Sequence, residues 1–362
     1  MKGDIRIEEG RATDDEKSPI MEDSTKQDYS SSLSAMNKFD FARTRDIMVL
    51  ILTLGVVIIV FYYSSCTNFG LGLKHKQVKE NNNELKKVLE AAATKEKTVI
   101  ITTLNDAWAE PNSVFDLFLE SMRNGNNTAE LVNHLMVVAV DQKAYIRCQK
   151  LVRHCYFFKT KKSSKMADEA RFMSPIYMEM MWERLAFLQT ILSLGYNFVF
   201  TDTDVMWFRN PFPNFRHDAD FQTSCDHFNG RELDISNAPN NGFLFVRSNN
   251  RTIKFYKFWV SSRHTYPTLH EQDVFNRIKG SDFVRKLGVK LRFMDTNYFG
   301  GFCERSKDFN KVCTMHANCC VGLDNKIGDL KIILQDWKTY FSSSNHTTPQ
   351  PTKWRAPKLC HM

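Results

Sequence analysis

The chain has 362 residues, 43% of them hydrophobic and 25% charged, with a formal net charge of +8. This composition suits one large or two ordinary globular domains and excludes a fibrous or wholly disordered chain. Lys and Arg are spread along the sequence without a basic cluster interleaved with aromatics, so no nucleic-acid partner is expected.

Residues 1–46 are polar, rich in Asp, Glu, Ser and Lys to about residue 40, and read as a disordered tail. From Ile47 to Tyr63 the chain is apolar and uncharged, and the run continues to Cys66, long enough to span a bilayer as a helix. A run that is hydrophobic all round and flanked by Arg43, Arg45 and Asp46 fits a buried core helix poorly. It lies too far from Met1 for a cleaved signal peptide, so 47–66 reads as a signal anchor. Lys38, Arg43 and Arg45 precede it and Lys74, Lys76 and Lys79 follow it, so basic flanks barely set its orientation. The sequons at Asn126, Asn250 and Asn345 and eight of the nine cysteines lie C-terminal to it. They favour a cytoplasmic tail and a lumenal domain, a type II arrangement. Residues 67–96 read as a polar stem, with Leu85, Val88, Leu89 and Ala92 at helical spacing that would support a dimer.

The folded domain is expected over residues 97–341. Strands are predicted at 98–102, 135–140, 155–158, 198–200, 219–222, 243–246 and 290–294, alternating with helices near 175–194 and 252–262 and from 271. This order predicts an α/β fold with a mainly parallel sheet flanked by helices. In the long helix Tyr177, Met181, Leu185, Leu188 and Leu192 would face the core, and Gly195 would cap it. The tail from 342 to 362, with three prolines, is expected to be extended or loose.

The chemistry centres on Asn197–Pro213, where Phe198-Val199-Phe200 precedes Thr201-Asp202-Thr203-Asp204. Two carboxylates one residue apart at the carboxyl end of a buried strand suit Mg²⁺ or Mn²⁺ shared with substrate phosphates. A plain Asp/Thr turn is the structural alternative. His316 is a candidate third ligand. Cys313, His316, Cys319 and Cys320 also admit a zinc reading, but an oxidising lumen favours disulfides. Cys148–Cys155 and Cys303–Cys313 are plausible local bridges, while the adjacent Cys319 and Cys320 need separate distant partners. Glu271 and Asp273 read as helix-start carboxylates, Asn240 and Asn241 as turn formers, and Trp207, Trp259 and Trp337 as core. An aspartate-nucleophile phosphatase would carry Thr or Val two positions after the second Asp, where this chain has Met206.

The motifs Arg184-Leu-Ala-Phe-Leu, Phe200-Thr-Asp-Thr-Asp-Val-Met-Trp-Phe-Arg-Asn-Pro-Phe, Asn240-Asn-Gly-Phe, Gln272-Asp-Val-Phe-Asn and His316-Ala-Asn-Cys-Cys-Val-Gly, in this order over about residues 97–340, resemble the plant nucleotide-diphospho-sugar transferases of glycosyltransferase family 77. The resemblance implies a GT-A fold and a nucleoside-diphosphate sugar donor. It also implies Mn²⁺ or Mg²⁺, transfer with retention, and a single-pass Golgi membrane protein. It assigns Asp202, Asp204 and His316 to the metal, Asp202 also to the donor ribose, and Gly322 and Lys326 to the diphosphate. Thr103, Leu104 and Asn105 would line the nucleotide pocket, and Asn240, Asn241 and Asp273 would face sugar and acceptor. The acceptor would be a wall polysaccharide or glycoprotein glycan. The alternative is a non-catalytic membrane-anchored scaffold or glycan-binding partner, which the intact Asp202, Asp204 and His316 set disfavours.

Overall fold

The computed structural model describes residues 31–159, 173–342 and 353–360, and divides into two compact units, residues 1–78 and 79–362. The first unit holds most of helix α1 (Ser31–Ala92), which begins inside the stretch expected to be disordered; residues 1–30 lie outside the description. Within it, Arg43–Ser64 is a 22-residue apolar segment of mean hydropathy 2.6, long and apolar enough to cross a membrane.

The second unit is built on a seven-stranded sheet. Its strands are β1 (Thr98–Leu104), β2 (Leu135–Ala139), β3 (His154–Phe157), β4 (Asn197–Thr201), β6 (Phe221–His227), β7 (Ala238–Val246) and β8 (Leu291–Phe293). They lie in the order β3-β2-β1-β4-β7-β6-β8. The first four run parallel; β7 pairs antiparallel with both β4 and β6, and β6 runs parallel to β8. Alternate strand residues feed two cores, one on each face, as the two-residue strand period requires. Ile100, Val137 and Val199 face one core, against α3 (Val114–Asn124) and α9 (Leu323–Ser342). Val99, Ile101, Met136, Val138, Phe198 and Phe200 face the other, against α5 (Pro175–Ser193), α6 (Asn250–Ser261) and α7 (Glu271–Ile278). The sheet thus has the mixed, mainly parallel form expected, with helices on both sides.

The strand order turns back between β1 and β4: the chain fills outward to β3, then crosses to the other side of β1. Their carboxyl ends therefore diverge and leave a crevice between Leu104 and Thr201. A second sheet, β5 (Val205–Trp207), β10 (Thr314–His316) and β9 (Phe299–Gly301), extends the site beyond β4. Its pairing sets His316 opposite Val205, one residue from Asp204.

Three sequence expectations are corrected. The stripe Leu85, Leu89 and Ala92 is buried in the domain's own core with Val88 packed beside it, so the domain opens near residue 79 and this face is unavailable for a stem dimer. Burying each leucine contributes roughly 1.5–3 kcal/mol, which anchors the end of α1. Asn240 and Asn241 lie within β7 rather than in a turn. Residues 353–360 pack on the domain instead of trailing loose: Trp354 stacks on Phe208 and Phe309, and the Asp329 carboxylate accepts from the backbone N–H groups of Lys358, Leu359 and Cys360.

Among the described residues the disulfides are Cys148–Cys155, as expected, Cys303–Cys319 and Cys320–Cys360. The expected Cys303–Cys313 bridge does not form. Cys313 is a buried thiol just before β10, and burial pushes its pKa up to about 11. The zinc reading fails with it, because Cys319 and Cys320 are spent in separate disulfides.

Two outcomes test this packing. Replacing Cys320 and Cys360 by Ser should cost about 2–4 kcal/mol, read as a lower urea midpoint. Asp220 tests the acid limb. Burial alone would raise its carboxyl, but bonds from Arg251, the Lys290 N–H and Asn249 outweigh it and hold it below the usual range. A depressed folded-state pKa adds stability above the unfolded value of about 3.9 and loses it as pH falls. Asp220→Asn should therefore lower the melting temperature at neutral pH and approach the parent's value near pH 3.

Candidate active site

The crevice opens into a cleft of about 680 Å³. Thr103, Leu104 and Asn105 from the end of β1 line one wall, and Asp202 and Asp204 line the floor. His316, Gly322 and Lys326 close one side; Arg184, Glu271, Gln272 and Asp273 close the other. Ten of the eleven residues assigned to the site from sequence meet here. Asn241 does not. It is one residue out of phase on β7, so Asn240 and Gly242 face the cleft, while Asn241 is buried with neither amide atom hydrogen-bonded.

Each carboxylate has its own cation. Asp204, 1% exposed, receives Lys326 Nζ at 2.5 Å and His316 Nε2 at 3.1 Å. Burial would raise its carboxyl, but Lys326 and His316 outweigh burial and hold it well below the usual range. Asp202 receives Arg184 at 2.8 Å, yet burial and the neighbouring Asp204 charge raise it above that range. The pair is thus pushed apart in the manner of two close carboxylates in different surroundings. For His316 burial lowers the pKa, and the two aspartates reverse this and raise it.

Arg184 was not assigned a role from sequence, although its motif contributes to the resemblance. It is on α5 and bridges Asp202 to Glu271 at 3.0 Å, with its guanidinium over Phe200 at 4.7 Å. Glu271, 2% exposed, would rise on burial but is brought down to about 2 by His270 and Arg184. Its structural reading stands: it anchors Arg184. Trp108, which carries Lys326 Nζ 5.4 Å from its ring centroid, also lines the cleft. So do Asp226 and Asn318; no motif of the sequence marks Trp108 or Asp226, while Asn318 lies in the His316 motif without an assigned role.

Ligand atoms of Asp202, Asp204 and His316 all lie within 4.8 Å of one another. Two hard carboxylates and an imidazole fit Mn²⁺ or Mg²⁺ and leave coordination positions for phosphate oxygens. Close approach depends on Gly242: a Cβ there would lie 2.3 Å from His316 Cε1 and 2.7 Å from Asp202 Oδ2. Gly322, at φ +91°, turns the chain from the disulfide-pinned loop into α9, whose first turn presents Lys326.

Several known proteins are similar to this chain. An uncharacterized protein of Arabidopsis thaliana is 51% identical over 282 residues, 78% of this chain and 74% of its own. The UDP-galactose:fucoside alpha-3-galactosyltransferase of Dictyostelium discoideum is 28% identical over 163 residues, 38% of this chain and 24% of its own. Among solved structures, the galactosyltransferase LgtC covers 71% of this chain and 98% of its own at 13% identity, with a TM-score of 0.39. The nucleotide-diphospho-sugar transferase family matches residues 130–330, more than half the chain and including every ligand of the cluster. The chain is therefore a glycosyltransferase of the nucleotide-diphospho-sugar transferase family.

Proposed function

We propose that this enzyme transfers a glycosyl group from a UDP-sugar, a pentose or hexose donor, to a hydroxyl of a wall polysaccharide or glycoprotein glycan, with retention. The observation that carries this reading is the convergence of Asp202, Asp204 and His316 beside Lys326 at the strand-order reversal. The likeness to the UDP-galactose enzyme supports a uridine donor. The plant relative, the motif set and the apolar span support a family-77, type II Golgi protein with its domain lumenal.

In this mechanism Thr103, Leu104 and Asn105 hold the nucleoside, and Asp202 adds a contact to the ribose. A divalent ion held by Asp202, Asp204 and His316 would supply Lewis-acid charge to the diphosphate. Lys326 and the backbone near Gly322 stabilise the negative charge that develops as the glycosidic bond to phosphate breaks. Arg184 keeps the Asp202 carboxylate in place against its raised proton affinity. Asp273, exposed at the start of α7, and Asn240 orient the acceptor hydroxyl. Asn240 keeps the role expected of both asparagines, and Asn241, which does not face the cleft, is not given it. Front-side attack assisted by the leaving phosphate requires no carboxylate nucleophile, and Asp273 is not given that role.

Thermal melting of the detergent-solubilised chain tests the donor site. UDP with Mn²⁺ at a hundred times its Kd should stabilise the fold by about 2.7 kcal/mol. UDP alone should give little shift, and Asp204→Ala should abolish the response. No shift with UDP and Mn²⁺ in the parent protein would overturn the mechanism and favour a scaffold. A second test is Gly242→Ala, which should displace His316 and Asp202 and lower kcat/KM on the order of 100-fold. Parent-like turnover in that variant would show that the ligand geometry is not limiting.

A further inference from the structure

An N-glycosylation sequon uses two side chains: the Asn amide receives the sugar, and a Ser or Thr hydroxyl stands two positions on. The fold treats the sequons of this chain differently. Asn345 lies outside the described residues. Asn126 and Asn250 can be compared.

Asn250 opens α6, and Asn249 is the N-cap. Asn249 Oδ1 accepts from the Arg251 N–H at 2.9 Å and from the Thr252 N–H at 3.1 Å. The Thr252 hydroxyl closes the box from the other side. It accepts from the Asn249 N–H at 3.1 Å and donates to the Arg247 carbonyl at 2.6 Å. Thr252 is thereby 0% exposed, whereas Asn250 is exposed and its amide takes no part in the cap. Side chains of a helix tilt toward its N-terminus, so a group on the Asn250 amide projects past the helix end rather than across a turn.

Asn126 sits in a seam. Its N–H donates to the Phe208 carbonyl at 2.8 Å, and its carbonyl accepts from the Asn210 N–H at 3.0 Å. The residue is half-buried in an isolated bridge to Arg209. The chain beside it is crowded: a Cβ on Gly125 would lie 2.5 Å from Thr128 Oγ1 and 2.6 Å from the Trp207 carbonyl oxygen. A branched glycan fits poorly there.

The sheet also places Asn250 away from the cleft. β7 runs antiparallel to β4, with Val246 opposite Phe198, and the Ser248 N–H donates to Asn197 Oδ1 at 2.8 Å. Asn250 therefore lies toward the start of β4, whereas Asp202 follows its end.

We propose that Asn250 is an N-glycosylation site of this chain and that Asn126 is not. The donor is an oligosaccharide carried on a polyprenyl diphosphate. Asn250 Nδ2 loses a proton and bonds to C1 of the first N-acetylglucosamine, the bond from C1 to the diphosphate oxygen breaks, and polyprenyl diphosphate leaves. Folding buries the Thr252 hydroxyl, so transfer precedes closure of the α6 cap. The inference rests on the proposed type II orientation, which puts the domain in the lumen.

The test uses the full chain with a C-terminal tag, expressed in plant cells. Protease protection of the tag in sealed microsomes reads the orientation without reference to any sequon. The purified chain is then treated with a peptide N-glycosidase in H₂¹⁸O, which converts each glycosylated Asn to ¹⁸O-labelled Asp, and its peptides are read by mass spectrometry. The label is expected at Asn250 and not at Asn126. Asn250→Gln should lose the glycosidase-sensitive mobility shift contributed by this position, and Thr252→Ser, which keeps the hydroxyl, should retain it. A protected tag with unlabelled Asn250 overturns the proposal and leaves the orientation standing. Label at Asn126 overturns the distinction between the two sequons. A tag digested in sealed microsomes overturns the type II reading and the proposal together.

Discussion

The structure depends on keeping the Asp204 carboxylate ionised where it is 1% exposed. An uncompensated buried charge costs several kcal/mol, so positive and hydrogen-bonding partners must be delivered to it. They come from far along the chain: His316 from β10, 112 residues on, and Lys326 from α9, 122 residues on. The small sheet exists to bring the first, since β10 pairs with the strand that follows Asp204. The loop between His316 and Lys326 brings the second. It is pinned by Cys303–Cys319 and Cys320–Cys360, so the C-terminal tail is tied to the site through a covalent bond.

The other half of the site is ordered by the same logic. Arg184, with a side chain 10% exposed, sits between Asp202 and Glu271 and joins α5, β4 and α7. A planar guanidinium can bond two carboxylates while stacking on Phe200, which a lysine could not do equally well. The result is a row of charged groups, Glu271, Arg184, Asp202, Asp204 and Lys326, with a cation beside each of the two neighbouring aspartates.

This arrangement separates two tasks. Apolar packing on both faces of the sheet sets where β1 and β4 end. The polar network then decides what those ends can bind. Membership of the nucleotide-diphospho-sugar transferase family states the general reaction. The uridine donor, the metal and the acceptor belong to the proposed reading, which draws on the cluster geometry and the likeness to a UDP-galactose enzyme.

Local patterns by themselves determined much of this protein. Short β-branched and aromatic runs marked the strands, the uncharged segment marked the apolar span, and Asp202-x-Asp204 after a buried strand marked the floor of the site. These signals are legible because each lies within a few residues. Four matters were decided only by tertiary structure, because each joins segments remote in sequence. The Leu85–Ala92 stripe was periodic in either case, and only the sheet it meets shows that it serves the domain core. Cys303 pairs with Cys319 rather than Cys313, since Cys313, just before β10, is buried with its carbonyl bonded by the Phe208 N–H, and the loop after β10 carries Cys319 to Cys303. The proline-bearing tail packs because Asp329 and the Phe208–Phe309 surface wait for it. Asn240 rather than Asn241 faces the cleft, because the two-residue period of β7 is set by its pairing with β4 and β6, and no local property distinguishes the two asparagines.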